Sequence, residues 1–181
     1  MKKTILTIAL TAVICFAAVG TTFAWLVAKT PSITNTFTVG DVSITLVETT
    51  GNEYKLIPGH TYAKDPKVTV ATGSETCWLF VKAESVNNVS NYVTYEIADG
   101  WTKLEVSGTD GVYYREVAAD ATTREFSVLA GDTIKVLDSL TTTELATAKT
   151  SVPSLTFTAY AVQKDGFATA AAAWDEAKKL G

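Results

Sequence analysis

"CWLFVKAES", residues 77–85, is the stretch on which the fold turns. Its first five residues are apolar on both faces, with Cys77, Leu79 and Val81 on one side and Trp78 and Phe80 on the other. Such a strand needs cover on both faces, which places it at the centre of a sandwich. Outward from it the period stays at two. "KVTVAT" (67–72) precedes it; "YVTYEIA" (92–98), "WTKLEV" (101–106), "VYYREV" (112–117), "REFSVL" (124–129), "TIKVL" (133–137) and "SLTFTAYAVQ" (154–163) follow. Turn signals separate them at Asp99-Gly100, Gly108, Asp110-Gly111 and Gly131-Asp132. "IPGHTYAKDP", punctuated by Pro58-Gly59 and Asp65-Pro66, reads as a loop. Eight or nine short strands at this cadence predict an all-β antiparallel sandwich of jelly-roll or immunoglobulin-like form.

Two stretches have another rhythm. "TTTELATAK" (141–149) predicts a short surface helix capped by Thr142 or Thr143. After a turn at Asp165-Gly166, a C-terminal helix is predicted over 168–180, capped by Thr169. Ala170, Trp174 and Ala177 share its inner face, while Asp175 and Lys179 stand four apart on another.

The chain starts differently. Lys2 and Lys3 precede 25 uncharged residues, Thr4 to Ala28, and Thr22-Phe23-Ala24 supplies a small-x-small pattern. This reads as a signal-peptide helix over 1–24, cut before Trp25, with an uncleaved membrane anchor as the alternative. Removing the first 24 of 181 residues leaves 157, enough for one domain (40–181) preceded by a strand-like arm (25–39). Without Lys2 and Lys3 the balance is 13 basic against 19 acidic residues, a net charge of −6. That suits a secreted or cell-surface protein and argues against nucleic acid as a partner. Cys77 alone survives processing, so no intrachain disulfide can staple the domain.

In the arm, Ile33, Phe37 and Val39 point one way and Thr34, Thr36 and Thr38 the other; Val42, Ile44 and Leu46 then repeat the pattern. Gly40-Asp41 interrupts the count, as a two-residue hairpin turn or as a joint between separate strands. Two readings therefore stand. The arm pairs at home with residues 42–47, or it is a donor strand pivoting at the Gly40-Asp41 hinge to complete a neighbouring copy.

Catalytic chemistry finds little support. His60 is the single histidine, which excludes zinc sites built on two or three histidines. Cys77 reads as a buried thiol rather than a nucleophile, and no phosphate-binding glycine loop occurs. No metal or cofactor is expected; Asp99, Asp110 and Asp132 read as turn residues, with calcium at a loop as the alternative. Trp78, Trp101, Tyr92, Tyr95, Tyr113 and Tyr114 read as core filling, with a glycan-stacking platform as the alternative.

Three blocks, "TTFAWLVAKTPSITNTFTVGDVSITLVE", "LIPGHTYAKDPKVTV" followed by "CWLFVKAE", and "AYAVQKDGFATAAAAW", resemble the TasA/camelysin family of secreted bacterial proteins. Here Trp25 stands where that family more often has Tyr or Phe after the alanine. The resemblance implies a jelly-roll-like subunit of extracellular fibres or biofilm matrix, processed by a SipW-type signal peptidase. It also implies that the mature chain's first strand completes its neighbour's sheet, head to tail. Assembly alone and assembly aided by an accessory protein are both compatible with it. The metalloprotease label carried by some camelysin relatives does not transfer, for lack of ligands. The expectation is a non-enzymatic, self-associating subunit, touching the membrane only through an uncleaved signal. A surface glycan- or protein-binding module is the runner-up.

Overall fold

The structure, a computed structural model, describes residues 40–51 and 53–180. The expectations for 1–24 and 25–39, including Thr22, Ala24, Trp25, Ile33, Phe37 and Val39, lie outside the described residues. Ten strands are described: β1 Ile44–Val47, β2 Thr61–Ala63, β3 Lys67–Val70, β4 Cys77–Val86, β5 Val93–Thr94, β6 Thr102–Lys103, β7 Val112–Val117, β8 Glu125–Ser127, β9 Thr133–Val136 and β10 Ser154–Gln163. Two short helices join them, α1 Thr142–Thr150 and α2 Ala170–Ala177. The fold is all-β, and every strand pairing among the described residues is antiparallel.

The strands form three sheets, β1-β3-β8, β10-β4-β7-β6 and β2-β9-β5. β4 is central, as its two apolar faces require: it pairs with β10 over its whole length and with β7 over Cys77–Lys82. Its odd-numbered side, Cys77, Leu79 and Val81, meets Val68 and Val70 of β3 and Val117 of β7 in the core between the β10-β4-β7-β6 and β1-β3-β8 sheets. Ile44 and Leu46 of β1 and Phe157, Ala159 and Ala161 of β10 close that core at one side. On the other face, Phe80 lies under α2, whose Ala170, Ala173, Trp174 and Ala177 are all buried. Trp174 sits 5.3 Å from the Phe80 ring and 5.3 Å from Tyr160, centroid to centroid. A third cluster, around Val93, Val136 and Ala148, joins the small sheet to α1.

Several expectations are corrected. The span 92–98 is not one strand. A 3-10 turn at Val89–Asn91 leads into the two-residue β5, and Ile97 then bridges Leu129 in another part of the fold. Its alternation serves two different sheets. The presumed loop at 57–66 contains β2, which pairs with β9 and creates the unexpected third sheet. Thr141, not Thr142 or Thr143, caps α1, because only Thr141 has Glu144 three residues on. Its hydroxyl accepts from the Glu144 amide while the Glu144 carboxylate accepts from the Thr141 amide. Thr169 caps α2, but the α-helix ends at Ala177 and tightens to a 3-10 turn over Lys178–Leu180. Asp175 therefore pairs with Lys178 at 2.6 Å rather than with Lys179.

Among the turns, Gly111 is constrained most tightly. It has φ +76°, and a Cβ there would overlap the Ala83 carbonyl oxygen. Its own carbonyl accepts from the Ala83 amide at 2.8 Å, continuing the β4–β7 ladder past Lys82. The expected Asp110-Gly111 turn is thus where the backbone of β4 passes too close for any side chain.

Candidate functional site

The feature that stands out is an edge. β10 bonds to β4 along one side only; among the described residues nothing pairs with its other side. The same holds for β1, which pairs with β3 alone. These two edges form one corner. At one end, the Ala71 amide donates to Ser43 O (2.8 Å), the Glu75 amide to Asp41 O (3.0 Å) and the Lys164 amide to Thr76 O (2.8 Å), bringing the start of β1 to the end of β10. At the other, Lys64 Nζ bonds Glu48 just after β1 and lies 5.7 Å from the Phe157 ring near the start of β10. The two strands therefore run in opposite directions, and their Cα atoms approach within 8 Å.

That spacing matters. A strand inserted between two others needs two ladder steps, about 9.6 Å. The corner is an edge to be extended along its outside, not a slot to be filled.

The edge lacks the usual protection. Sheet edges are blunted by brevity, charge or proline, because unpaired backbone donors and acceptors recruit any free strand. The other edge strands, β2, β5, β6 and β8, are two or three residues long. β10 is ten residues, SLTFTAYAVQ, with no charge and no proline, and β1 (ITLV) has neither. Phe157, Ala159 and Ala161 face the inter-sheet core, and Leu155 the third cluster, yet all stay only half-buried, whereas Leu79 and Val81 on neighbouring β4 are fully buried.

The two ends of the corner differ in chemistry. At the Gln163 end is a hollow of about 300 Å³ lined by Gly40, Glu75, Thr76, Gln163 and Asp165. Gly40 lies here, and a Cβ on it would stand 2.8 Å from Glu75 Cγ, so any side chain there displaces Glu75. At the Ser154 end is a cavity of about 570 Å³ with a mostly apolar wall, including Leu56, Val93, Ile134, Ala148 and Leu155. Lys64, 6 % exposed, crosses its side. Its ammonium bonds both Glu48 carboxylate oxygens at 2.7 and 3.0 Å and lies 5.3 Å from the Tyr54 ring, whose hydroxyl donates to Glu48 at 3.1 Å. Nothing in the local sequence around Lys64 signals that burial.

Next to this pair, Asp65 fixes the chain after β1. Its carboxylate accepts from the hydroxyls and amides of both Thr49 and Thr50 at 2.6–3.0 Å. Those bonds, Thr49's foremost, hold its carboxyl well below the usual carboxylate range. A depressed folded pKa contributes stability that is present above the unfolded value, about 3.9, and lost as pH falls toward the folded one. Asp65→Asn should therefore lower the melting temperature at pH 7, and the gap to the unsubstituted chain should narrow as pH is taken below about 4. Thermal melts across that range check it; a gap that does not change with pH contradicts it.

Of the remaining candidates, Cys77 and most of the aromatics pack in the interior, while His60 is exposed. Cys77 is fully buried between the sheets, where burial pushes its thiol pKa up. His60 packs edge-on against Tyr62, 4.4 Å between centroids, at the small sheet. The six aromatics do not share one surface. Trp78 and Tyr114 belong to the cluster beneath α2, Trp101 to the inter-sheet core and Tyr92 to the third cluster, while Tyr95 meets Phe157 edge-on and Tyr113 is half-buried on β7 opposite Val81. Trp78 and Trp101 each donate their indole N–H to a backbone carbonyl, Phe167 O and Ser127 O. Among the described residues, no group of three or more His, Cys, Asp or Glu side chains is placed to hold a metal ion, and no helix is long and apolar enough to cross a membrane.

No protein-family model, curated protein or solved structure matches this chain.

Proposed function

We propose that this chain is a secreted, non-enzymatic structural subunit that polymerises by β-addition. The arm, residues 25–39, is freed when a SipW-type signal peptidase cuts before Trp25, and it docks along the β1/β10 corner of the next copy. One observation carries the reading: the ten-residue, uncharged, proline-free edge of β10, beside the short β1, which also lacks charge and proline. A supplied strand satisfies that row of backbone groups, and Ile33, Phe37 and Val39 extend the apolar face formed by Leu155, Phe157 and Ala159. The added strand gives the sandwich its jelly-roll-like closure. Donation from one copy to the next, without closing a ring, yields an open filament suited to extracellular matrix or cell-surface coat. The sequence likeness to the TasA/camelysin family supports the same reading.

The test is the chain lacking residues 25–39. It should fold, remain monomeric by light scattering and form no filaments under the electron microscope, while the processed chain of 157 residues polymerises. Filaments from the truncated chain in normal yield would overturn the proposal. A second variant probes the acceptor side. Thr156 and Thr158 lie on the α2 side of β10, away from the inter-sheet core. Thr156→Lys with Thr158→Lys puts charge on that edge and should cut polymerisation about tenfold or more without a matching loss of thermal stability. Unchanged growth kinetics would argue that β10 is not the acceptor.

A further inference from the structure

We propose that the cavity at the Ser154 end of the corner receives residues 25–28, Trp-Leu-Val-Ala, of the neighbouring copy, so that the arm is anchored at its tip as well as along its ladder. This rests on the assembly reading above and names the subsite that sets the direction of the added strand.

Three observations converge on it. The first is continuity: Ser154 and Leu155 belong both to the open edge and to the cavity wall, so a strand running off the start of β10 passes directly over the opening. The second is polarity. A strand on this corner can run either way. One direction delivers Trp25 to the hollow of Glu75, Thr76, Gln163 and Asp165; the other delivers it to the cavity of Leu56, Val93, Ile134, Ala148 and Leu155. An apolar tetrapeptide is stabilised only in the second. Lys64 in that wall is neutralised by Glu48, and the charged Glu53 and Lys149 lie at the exposed rim. Val47, Val86 and Val152, three of the most exposed large apolar residues, mark the same end: Val47 closes β1, Val86 pairs with Ser154, and Val152 lies in the cavity wall. In this direction the added strand runs parallel to β10 and antiparallel to β1, so the chemistry of the two ends, not the ladder, selects it.

The third is length. β10 spans ten residues, about 33 Å at 3.3 Å per residue. With Val39 level with Gln163, residues 30–39 match the edge and 25–29 project about 16 Å beyond it. Pro31 then falls near Leu155 and, lacking an N–H, ends the ladder where the chain must leave the edge for the cavity. The arm is longer than its ladder by the length needed to reach the cavity.

The test uses the processed chain carrying Leu26→Cys and Val152→Cys together, assembled and then oxidised. Val152 is 66 % exposed, so the substitution leaves the body intact, and Cys77 is fully buried and does not compete. The expected result is a reducible ladder of covalent oligomers, with heterodimers when the two single variants are mixed. Trp25→Ala should raise the critical concentration for polymerisation about tenfold or more, the behaviour of a buried aromatic anchor, without changing the melting temperature of the unassembled chain. Filaments that form but show no Leu26→Cys to Val152→Cys bond overturn the tip anchor and leave β-addition standing. A bond confined within single chains overturns anchoring between copies. Filaments that still grow when residues 25–39 are deleted overturn both.

Discussion

Trp174→Ala is expected to cost about 3–5 kcal/mol, the range for removing a buried aromatic and leaving the space unfilled. Trp174 is 6 % exposed and wedged between Phe80 and Tyr160 at 5.3 Å from each. α2 is only eight residues long and cannot hold its own helical form without tertiary contacts. Its other buried residues are alanines 170, 173 and 177, which add little area. The helix is therefore docked by one side chain. Its loss should uncover Phe80 and bring the melting temperature down by about 6–20 °C for a domain of this size. Urea denaturation of the two chains side by side measures it. A change below about 1 kcal/mol would mean that α2 contributes little to holding the β10-β4-β7-β6 sheet.

The second large effect lies in the Lys64–Glu48 pair. Glu48→Ala strands an ammonium that is 93 % buried at its side chain, and stability should fall by about 2–4 kcal/mol. The figure sits at the lower end for buried pairs because the Glu48 side chain keeps 25 % of its exposure, and solvent screens part of the interaction. Lys64→Met should cost much less, since Glu48 can turn to water while Met keeps contact with Tyr54 and Phe157. The double replacement should recover most of the loss seen in Glu48→Ala alone. Thermal melts of the three variants decide it. Equal losses for both single variants, summing in the double, would contradict a coupled pair.

How much of this was legible in the sequence depended on how far each signal travels along the chain. β4 and β10 were readable nearly residue for residue, because ten consecutive positions in each alternate or stay apolar and the two strands pair over their whole length. The stretch 92–98 alternates just as well, yet Val93–Thr94 pairs with β9 while Ile97 bridges Leu129. Periodicity reports that a residue faces an interior, not which one. β2 was hidden because three residues between Gly59 and Pro66 are too few to show a period. The capping box at Thr141 lay in a run of three threonines, where only the position of Glu144 tells them apart.

For the site, the missing charge and proline in SLTFTAYAVQ was present in the sequence; that β10 forms an edge was not, since that depends on which strands pair. The cavity was invisible for the same reason. Leu56, Val93, Ile134, Ala148 and Leu155 are distributed over a hundred residues and meet only through tertiary packing.

The most direct measurement of the central claim is a cryo-electron microscopy reconstruction of filaments grown from the processed chain. The account predicts residues 33–39 of each copy hydrogen-bonded along the β1/β10 corner of the next, antiparallel to β1. An arm laddered onto its own body, with copies joined through some other surface, would contradict it.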